Sequence, residues 1–344
     1  MENATILSEG VFGTTYGKTA NGLVRYSKRY KILSVIDSRL AGQDAGNVLM
    51  HRYAGIPIIS GVEEGLRGGA ETLIVGIASD GGVLPDSYRP YIKTAINNGM
   101  NIVSGLHDFI SDDPEFSKLA KRTGSKITDV RKLFKERKYF FTGNIEKVKA
   151  KKIAVLGTDS AIGKRTTAIY LNRAMKAIGK KSVMIGTGQT SWMQGFKYTV
   201  VIDAIVNDFV AGALESVTYE AWDVERPDYM FIEGQGSVLH PAYPGSFEII
   251  GATRPDAIIL QHAPMRKYFD GFPGYEIPPL EKFINILELL SNKRVIAIAL
   301  NTENMDESMI KEEKSRLQAK FGIPVFDPLQ RLSSVTREID SYKI

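Results

Sequence analysis

The chain has 344 residues, 44 basic against 39 acidic side chains, a formal net charge of +5 and no cysteine. Such a length predicts two domains rather than one small core, and 43% hydrophobic with 24% charged residues excludes a disordered or collagen-like chain. The missing thiols exclude disulfides, thiolate catalysis and Cys-ligated zinc, while the mild charge excess suits an anionic small molecule at least as well as nucleic acid.

No stretch approaches the roughly 18 apolar residues of a membrane helix, and the opening MENATILSEG lacks the basic-then-apolar order of a signal peptide. The expectation is a soluble cytoplasmic protein that uses neither membrane nor nucleic acid, with a homo-oligomer left open. In chain order, the runs Ile32–Ile36, Thr72–Ala78 and Asn101–Ser104 read as buried parallel strands, with a crossover helix over Asp86–Asn98. This is a Rossmann-like layout. The strand at 32–36 leads into Asp37-Ser38-Arg39-Leu40-Ala41-Gly42 rather than G-x-G-x-x-G, so a dinucleotide is not indicated. The basic stretch from Lys118 to Lys152 reads as a solvated helix face. The domain boundary is placed after it, giving domains 1–148 and 149–344.

A second alternation follows, with strands at Ile153–Leu156, Ser182–Ile185, Tyr229–Ile232, Ala257–Leu260 and Val295–Leu300 and helical segments near 163–178, 201–215, 278–290 and 306–320. The fold class is therefore α/β: two doubly wound, mostly parallel-sheet domains, Rossmann-like and then P-loop NTPase-like. The strongest signal lies at the start of the second domain. After the strand come Gly157, Thr158, Asp159, Ser160, Ala161, Ile162, Gly163, Lys164, Arg165, Thr166 and Thr167, opening a helix. Loop amides and a helix N-terminus surround an anion there, and Lys164 reaches a phosphate. Two departures from G-x-x-x-x-G-K-[ST] matter: Thr158 stands at the first glycine, and Arg165 stands where a hydroxyl normally ligates magnesium. A guanidinium beside Lys164 suits a diphosphate carried for recognition, as in coenzyme A, better than one being cleaved. Gly188, Gln189 and Thr190, after the second strand of this domain, are a further candidate phosphate contact.

The sequence resembles the D-glutamate N-acetyltransferase family through Gly17–Arg25, Val35–Gly42, Ile102–Asp108, Gly157–Thr167, Gly188–Thr190, Asp203 with Asp208–Gly212, Glu233–Ser237 and His240–Ala242. The resemblance implies a Rossmann-like domain before a P-loop-type domain, acetyl-CoA as co-substrate and an acidic amino acid, D-glutamate, as acceptor. The C-terminal half is also similar to dethiobiotin synthetase in Gly157-Thr158-Asp159 and Glu233-Gly234-Gln235-Gly236, which implies the alternative of ATP with magnesium held by Glu233 and Asp203. A noncatalytic nucleotide-sensing module is the third reading. Glu233 ends a strand on the ligand edge of the sheet, and His240 follows in a proline-rich loop. These two are the catalytic candidates for removing the acceptor's ammonium proton. Asp37, Arg39, His107 and Asp108, at strand ends of the first domain, are expected to bind the acceptor. Arg39, Arg254 or Arg266 would clamp its carboxylates, and Trp192 and Trp222 either pack or cover a ligand.

Overall fold

A computed structural model describes residues 1–330 and 332–342. The chain folds as two compact units, one formed by Met1–Glu136 with Gln189–Lys197 and the other by Arg137–Gly188 with the chain from Tyr198 on. The first unit holds β1 (Glu2–Leu7), β2 (Tyr30–Ile36), β3 (Ile58–Ile59), β4 (Thr72–Val75), β5 (Asn101–Ser104) and β6 (Ile127–Asp129). All pair parallel in the order β3-β2-β1-β4-β5-β6.

A central strand of that sheet is β1, which is not among the apolar runs that mark strands in the sequence, the first of which is Ile32–Ile36. Its polar Thr5 disguised it. The Thr5 hydroxyl is fully buried and lies 2.7 Å from Ser34 Oγ on β2, so a polar residue sits satisfied in a core strand. The first strand is therefore followed by Gly10, Gly13 and Gly17, and a glycine-rich loop does precede the helix Lys18–Tyr26. Its amides turn inward. Val11 and Phe12 N–H donate to the Ser8 carbonyl, Gly13 N–H to Asn21 Oδ1 at 3.1 Å, and Gly17 N–H to Thr14.

The second unit holds β7 (Lys151–Gly157), β8 (Ser182–Gly186), β9 (Tyr198–Thr199), β10 (Tyr229–Glu233), β11 (Ala257–His262), β12 (Val295–Leu300) and β13 (Val325–Phe326). They pair in parallel in the order β13-β12-β11-β7-β10-β8-β9. The buried runs such as Ile153–Leu156 and Ile258–Leu260 are covered on both faces, as parallel strands between helical layers must be. The chain winds first to one side of β7 and later to the other, which makes the carboxyl end of β7 the switch point where such sheets bind ligands.

The compact units divide at Glu136/Arg137, ahead of the boundary expected after residue 148. The reason is Glu215, a buried residue on the helix Asn207–Glu225. Its carboxylate accepts from Thr142 N–H at 2.6 Å and Ile145 N–H at 3.1 Å, tying residues 142–145 to the second unit. Gly212 on the same helix permits the contact, because a Cβ there would lie 2.1 Å from the Tyr139 carbonyl oxygen. The helix Gln189–Gln194 belongs to the first unit, where Gln194 Nε2 donates to the Gly22 carbonyl at 2.8 Å and Arg29 stacks 4.0 Å over Trp192. Trp192 is thus a packing residue. Trp222 likewise packs, under the Arg226 guanidinium at 3.9 Å.

Candidate functional site

The loop after β7 is shaped by two residues in the left-handed region, Ala161 (φ 49°) and Gly163 (φ 100°), which turn successive amides toward one side. Among the described residues, no protein acceptor is found for the N–H groups of Ala161, Ile162 and Gly163. This contrasts with the glycine loop of the first unit, where the N–H groups of Val11, Phe12, Gly13 and Gly17 have protein acceptors. The helix Lys164–Ala177 starts at Gly163 without a side-chain cap, so its positive end adds to the cradle. Lys164 is buried and donates from Nζ to the Asp159 carbonyl at 2.5 Å, which folds its ammonium over the loop. Close fit forces a glycine at Gly234, where a Cβ would lie 2.2 Å from the Val155 carbonyl oxygen, while a Cβ on Gly157 would press on the Lys164 side chain at 2.9 Å from Cδ.

Not every residue of the expected cradle faces it. Thr167 is fully buried, and its hydroxyl donates to Gln261 Oε1 on β11. Residue 167 lies only about 60° around the helix from residue 164, so it is the bond to Gln261, not the helical spacing, that takes the Thr167 hydroxyl out of the cradle. Thr158 continues the strand, its N–H donating to the Gln261 carbonyl at 3.0 Å and its Oγ1 lying 3.2 Å from His262 Nδ1. Thr190 belongs to the first unit, where its hydroxyl is 3.2 Å from that of Thr19. Gly188 remains beside β10, with Gln235 Nε2 at 3.1 Å from where its Cβ would be, and Gln235 in turn donates to Thr187 Oγ1 at 3.0 Å.

Asp159 is fully buried and holds the loop in place. Its carboxylate accepts from Arg266 Nη1 at 2.9 Å, from Asp270 N–H at 3.1–3.2 Å and from Ser160 N–H at 2.7 Å. Ser160 Oγ then donates to Asp270 Oδ2 at 2.7 Å. Arg266, expected to clamp an acceptor, instead fastens the segment after β11 to the phosphate loop. Neither Gln261 nor Asp270 was foreseen from sequence; the one available signal was a polar residue, Gln261, at the carboxyl end of an otherwise apolar strand.

The geometry also reassigns His240. The ring is buried among Tyr243, Phe269 and Phe272, with centroids at 4.7, 5.1 and 5.5 Å. Nδ1 accepts from the N–H groups of Ala242 and Tyr243, both at 3.1 Å. The neutral imidazole therefore carries its proton on Nε2, 3.5 Å from Asp159 Oδ1. Burial holds its pKa below the usual histidine value, against the raising pull of Asp159. With Nδ1 engaged by two amides and the proton placed on Nε2, which faces Asp159 but makes no hydrogen bond, the ring does not present the free lone pair that a base needs.

Glu233, at the end of β10, is almost fully buried. Its Oε2 accepts from Thr187 N–H at 3.0 Å and its carbonyl from Thr187 Oγ1 at 2.8 Å. Arg165 Nη1 stands 3.6 Å from Oε1. The guanidinium thus lies where the magnesium alternative would put a metal against this carboxylate. Asp203, the other expected ligand, is an exposed residue on the short turn Ile202–Ala204. Among the described residues, no three of His, Cys, Asp and Glu gather as a metal site. With Arg165 against Glu233 and Asp203 exposed on its turn, the side chains present do not fit the magnesium of the ATP alternative.

In the first unit the four acceptor candidates do not form one cluster. Asp37 ends β2 and Asp108 follows β5, with β1 and β4 between, a separation of about 14 Å across three strand spacings. Asp37 is buried and accepts from Arg39 Nη2 at 2.9 Å and Phe12 N–H at 3.0 Å. Burial would raise its pKa, but these donors outweigh it and hold the carboxyl below its ordinary value. Asp108 caps the neighbouring loop by accepting from Leu84 N–H at 2.8 Å, and His107 N–H donates to the Gly82 carbonyl at 2.9 Å. Arg254 is exposed and pairs with Glu146.

Comparison with known proteins agrees with this architecture. The P-loop domain described as DUF1611_C, a domain of unknown function, matches residues 139–336, and the Rossmann-like DUF1611_N matches residues 38–133. A D-glutamate N-acetyltransferase of Tritonibacter scottomollicae is 32% identical over 276 residues, covering 78% of this chain and 80% of that protein. One from Pseudoalteromonas sp. is 35% identical over 273 residues with the same coverage. The crystal structure of a DUF1611 family protein from Anabaena variabilis superposes with a TM-score of 0.91 at 32% identity, covering 99% of this chain and all of that one. No helix among the described residues is long and apolar enough to cross a membrane. With matching units in the same order and relatives aligned over more than three quarters of its length, the chain belongs to the DUF1611 family.

Proposed function

We propose that this protein is an acetyl-CoA-dependent N-acetyltransferase whose acceptor is D-glutamate. The observation that carries the proposal is the cradle of residues 161–163, with its unengaged amides, beside Lys164 and Arg165. It offers a diphosphate backbone donors, an ammonium and a guanidinium, and Arg165 already faces the carboxylate that a magnesium–ATP site would require. Coenzyme A carries such a diphosphate, and the named relatives supply the reaction class and acceptor.

Glu233 is the base in this reading, since His240 has no nitrogen to offer. The acceptor's ammonium gives a proton to Glu233, and the amine attacks the acetyl carbonyl carbon. The C–S bond breaks, and the second nitrogen proton passes to the leaving thiolate. The test is to incubate purified protein with acetyl-CoA and D-glutamate and follow free thiol and N-acetylglutamate by mass spectrometry. Stoichiometric appearance of both is expected, with L-glutamate a poorer acceptor. Absence of product with every acidic amino acid would overturn the proposal.

A further inference from the structure

We propose that the hairpin of residues 267–277 is the base platform of the phosphate site, and that the exposed ring of Tyr275 stacks on the adenine of coenzyme A. This inference rests on the transferase reading of the same site. The hairpin follows β11 and is closed by backbone bonds, Phe269 N–H to the Tyr275 carbonyl at 3.0 Å and Ile277 N–H to the Lys267 carbonyl at 2.9 Å. Gly271 (φ 78°) and Gly274 (φ 99°) turn its tip. It is fixed to the phosphate loop. Arg266, just before it, donates to the Ser160 carbonyl at 3.0 Å, and Asp270 accepts from Ser160 Oγ at 2.7 Å. A platform fastened in this way is in place before a ligand arrives.

Packing explains some rings of the hairpin but not Tyr275. Phe269 is buried against His240 at 5.1 Å, and Phe272 meets the same ring edge-on at 5.5 Å. The Tyr275 backbone closes the hairpin, whereas the residue is 60% exposed and its ring contact among the described residues is with Phe272, at 6.1 Å and 84°. A perpendicular pair leaves at least one face of the Tyr275 ring bare to a ligand. From Gly271 to Tyr275 no side chain is charged, while Lys164, Arg165 and the amides of residues 161–163 gather at the loop. A flat uncharged surface next to anion donors matches an adenine nucleotide, whose base and diphosphate are joined through one sugar. The sheet order decides which half of coenzyme A lies here. β11 and β10 flank β7, so the root of the hairpin and Glu233 lie on opposite sides of the strand that carries the loop. The acetylated arm runs toward Glu233, which leaves the nucleotide half for Tyr275.

The experiment is calorimetric titration of the full chain with coenzyme A and with phosphopantetheine, which keeps the thiol arm and a phosphate but lacks the adenine nucleotide. Tyr275→Leu, which keeps apolar bulk without a flat face, should weaken coenzyme A binding roughly tenfold and leave phosphopantetheine binding unchanged. Tyr275→Phe, which keeps the face, should bind both as the unaltered protein does. Melting temperatures verify folding, and Tyr275→Ala replaces Tyr275→Leu should the latter not fold. Coenzyme A affinity that is unchanged in Tyr275→Leu, or an equal loss for both ligands, overturns the platform and leaves the transferase reading standing. Failure of the unaltered protein to bind coenzyme A overturns the transferase reading. ADP and pyrophosphate then take the places of the two ligands: a Tyr275→Leu loss confined to ADP upholds an adenine platform, and an equal or absent loss overturns it.

Discussion

His240 receives two backbone N–H groups on Nδ1, a task that an asparagine carbonyl can also perform. His240→Asn should therefore keep turnover within about tenfold, whereas loss of a true base costs roughly 10²–10⁴. Steady-state kinetics decide it, with Glu233→Gln as the contrast: that variant should retain coenzyme A binding and lose turnover by the larger factor. His262 supplies a prediction for stability. Burial pushes its pKa down from 6.5 to about 4, against the raising pull of Glu313. Above 6.5 the ring is neutral whether the chain is folded or not; as pH falls toward 4 the unfolded chain takes up a proton that the folded ring refuses. Folding stability should thus decline across that window, by about 3 kcal/mol from this residue. Urea unfolding at about pH 7.5 and about pH 4.5 should show a smaller loss in His262→Gln than in the unaltered protein, and equal losses would contradict the assignment.

The elements show why parts of the molecule were readable in sequence and parts were not. The strands β7, β10, β11 and β12 each contain an unbroken apolar run buried on both faces, so their composition alone marks them. In β1, Thr5 is a polar residue in a core strand, satisfied only by Ser34 of the neighbouring strand, and no local pattern carries that information. The strands β3, β9 and β13 have two residues each and exist through pairing with longer neighbours. The phosphate loop was legible because strand, small residues and helix follow in sequence, while its fastening was not. Asp159 is held by Arg266 and Asp270, more than a hundred residues away in the chain. The same holds for Glu215, whose carboxylate binds Thr142 and Ile145. Glu215→Ala leaves those donors without their partner and should cost about 3 kcal/mol. Protease cleavage near residues 137–148 should accelerate in this variant; unchanged melting and cleavage would show that the segment is held by something else.

At the scale of the whole molecule, two parallel sheets carry glycine-rich loops after their central strands, and the direction of the loop amides distinguishes them. In the first unit the N–H groups of Val11, Phe12, Gly13 and Gly17 close on the loop itself, on Asn21 or on Asp37. In the second, those of residues 161–163 have no protein acceptor among the described residues. The central claim is that this second loop receives the phosphates of coenzyme A without a metal. It is tested most directly by calorimetric titration of acetyl-CoA and of ATP, each in the presence of magnesium and then of a chelator. The account predicts that acetyl-CoA binds with the same affinity in both conditions and that ATP binds weakly in either. Tight ATP binding that requires magnesium, with no affinity for acetyl-CoA, would contradict it.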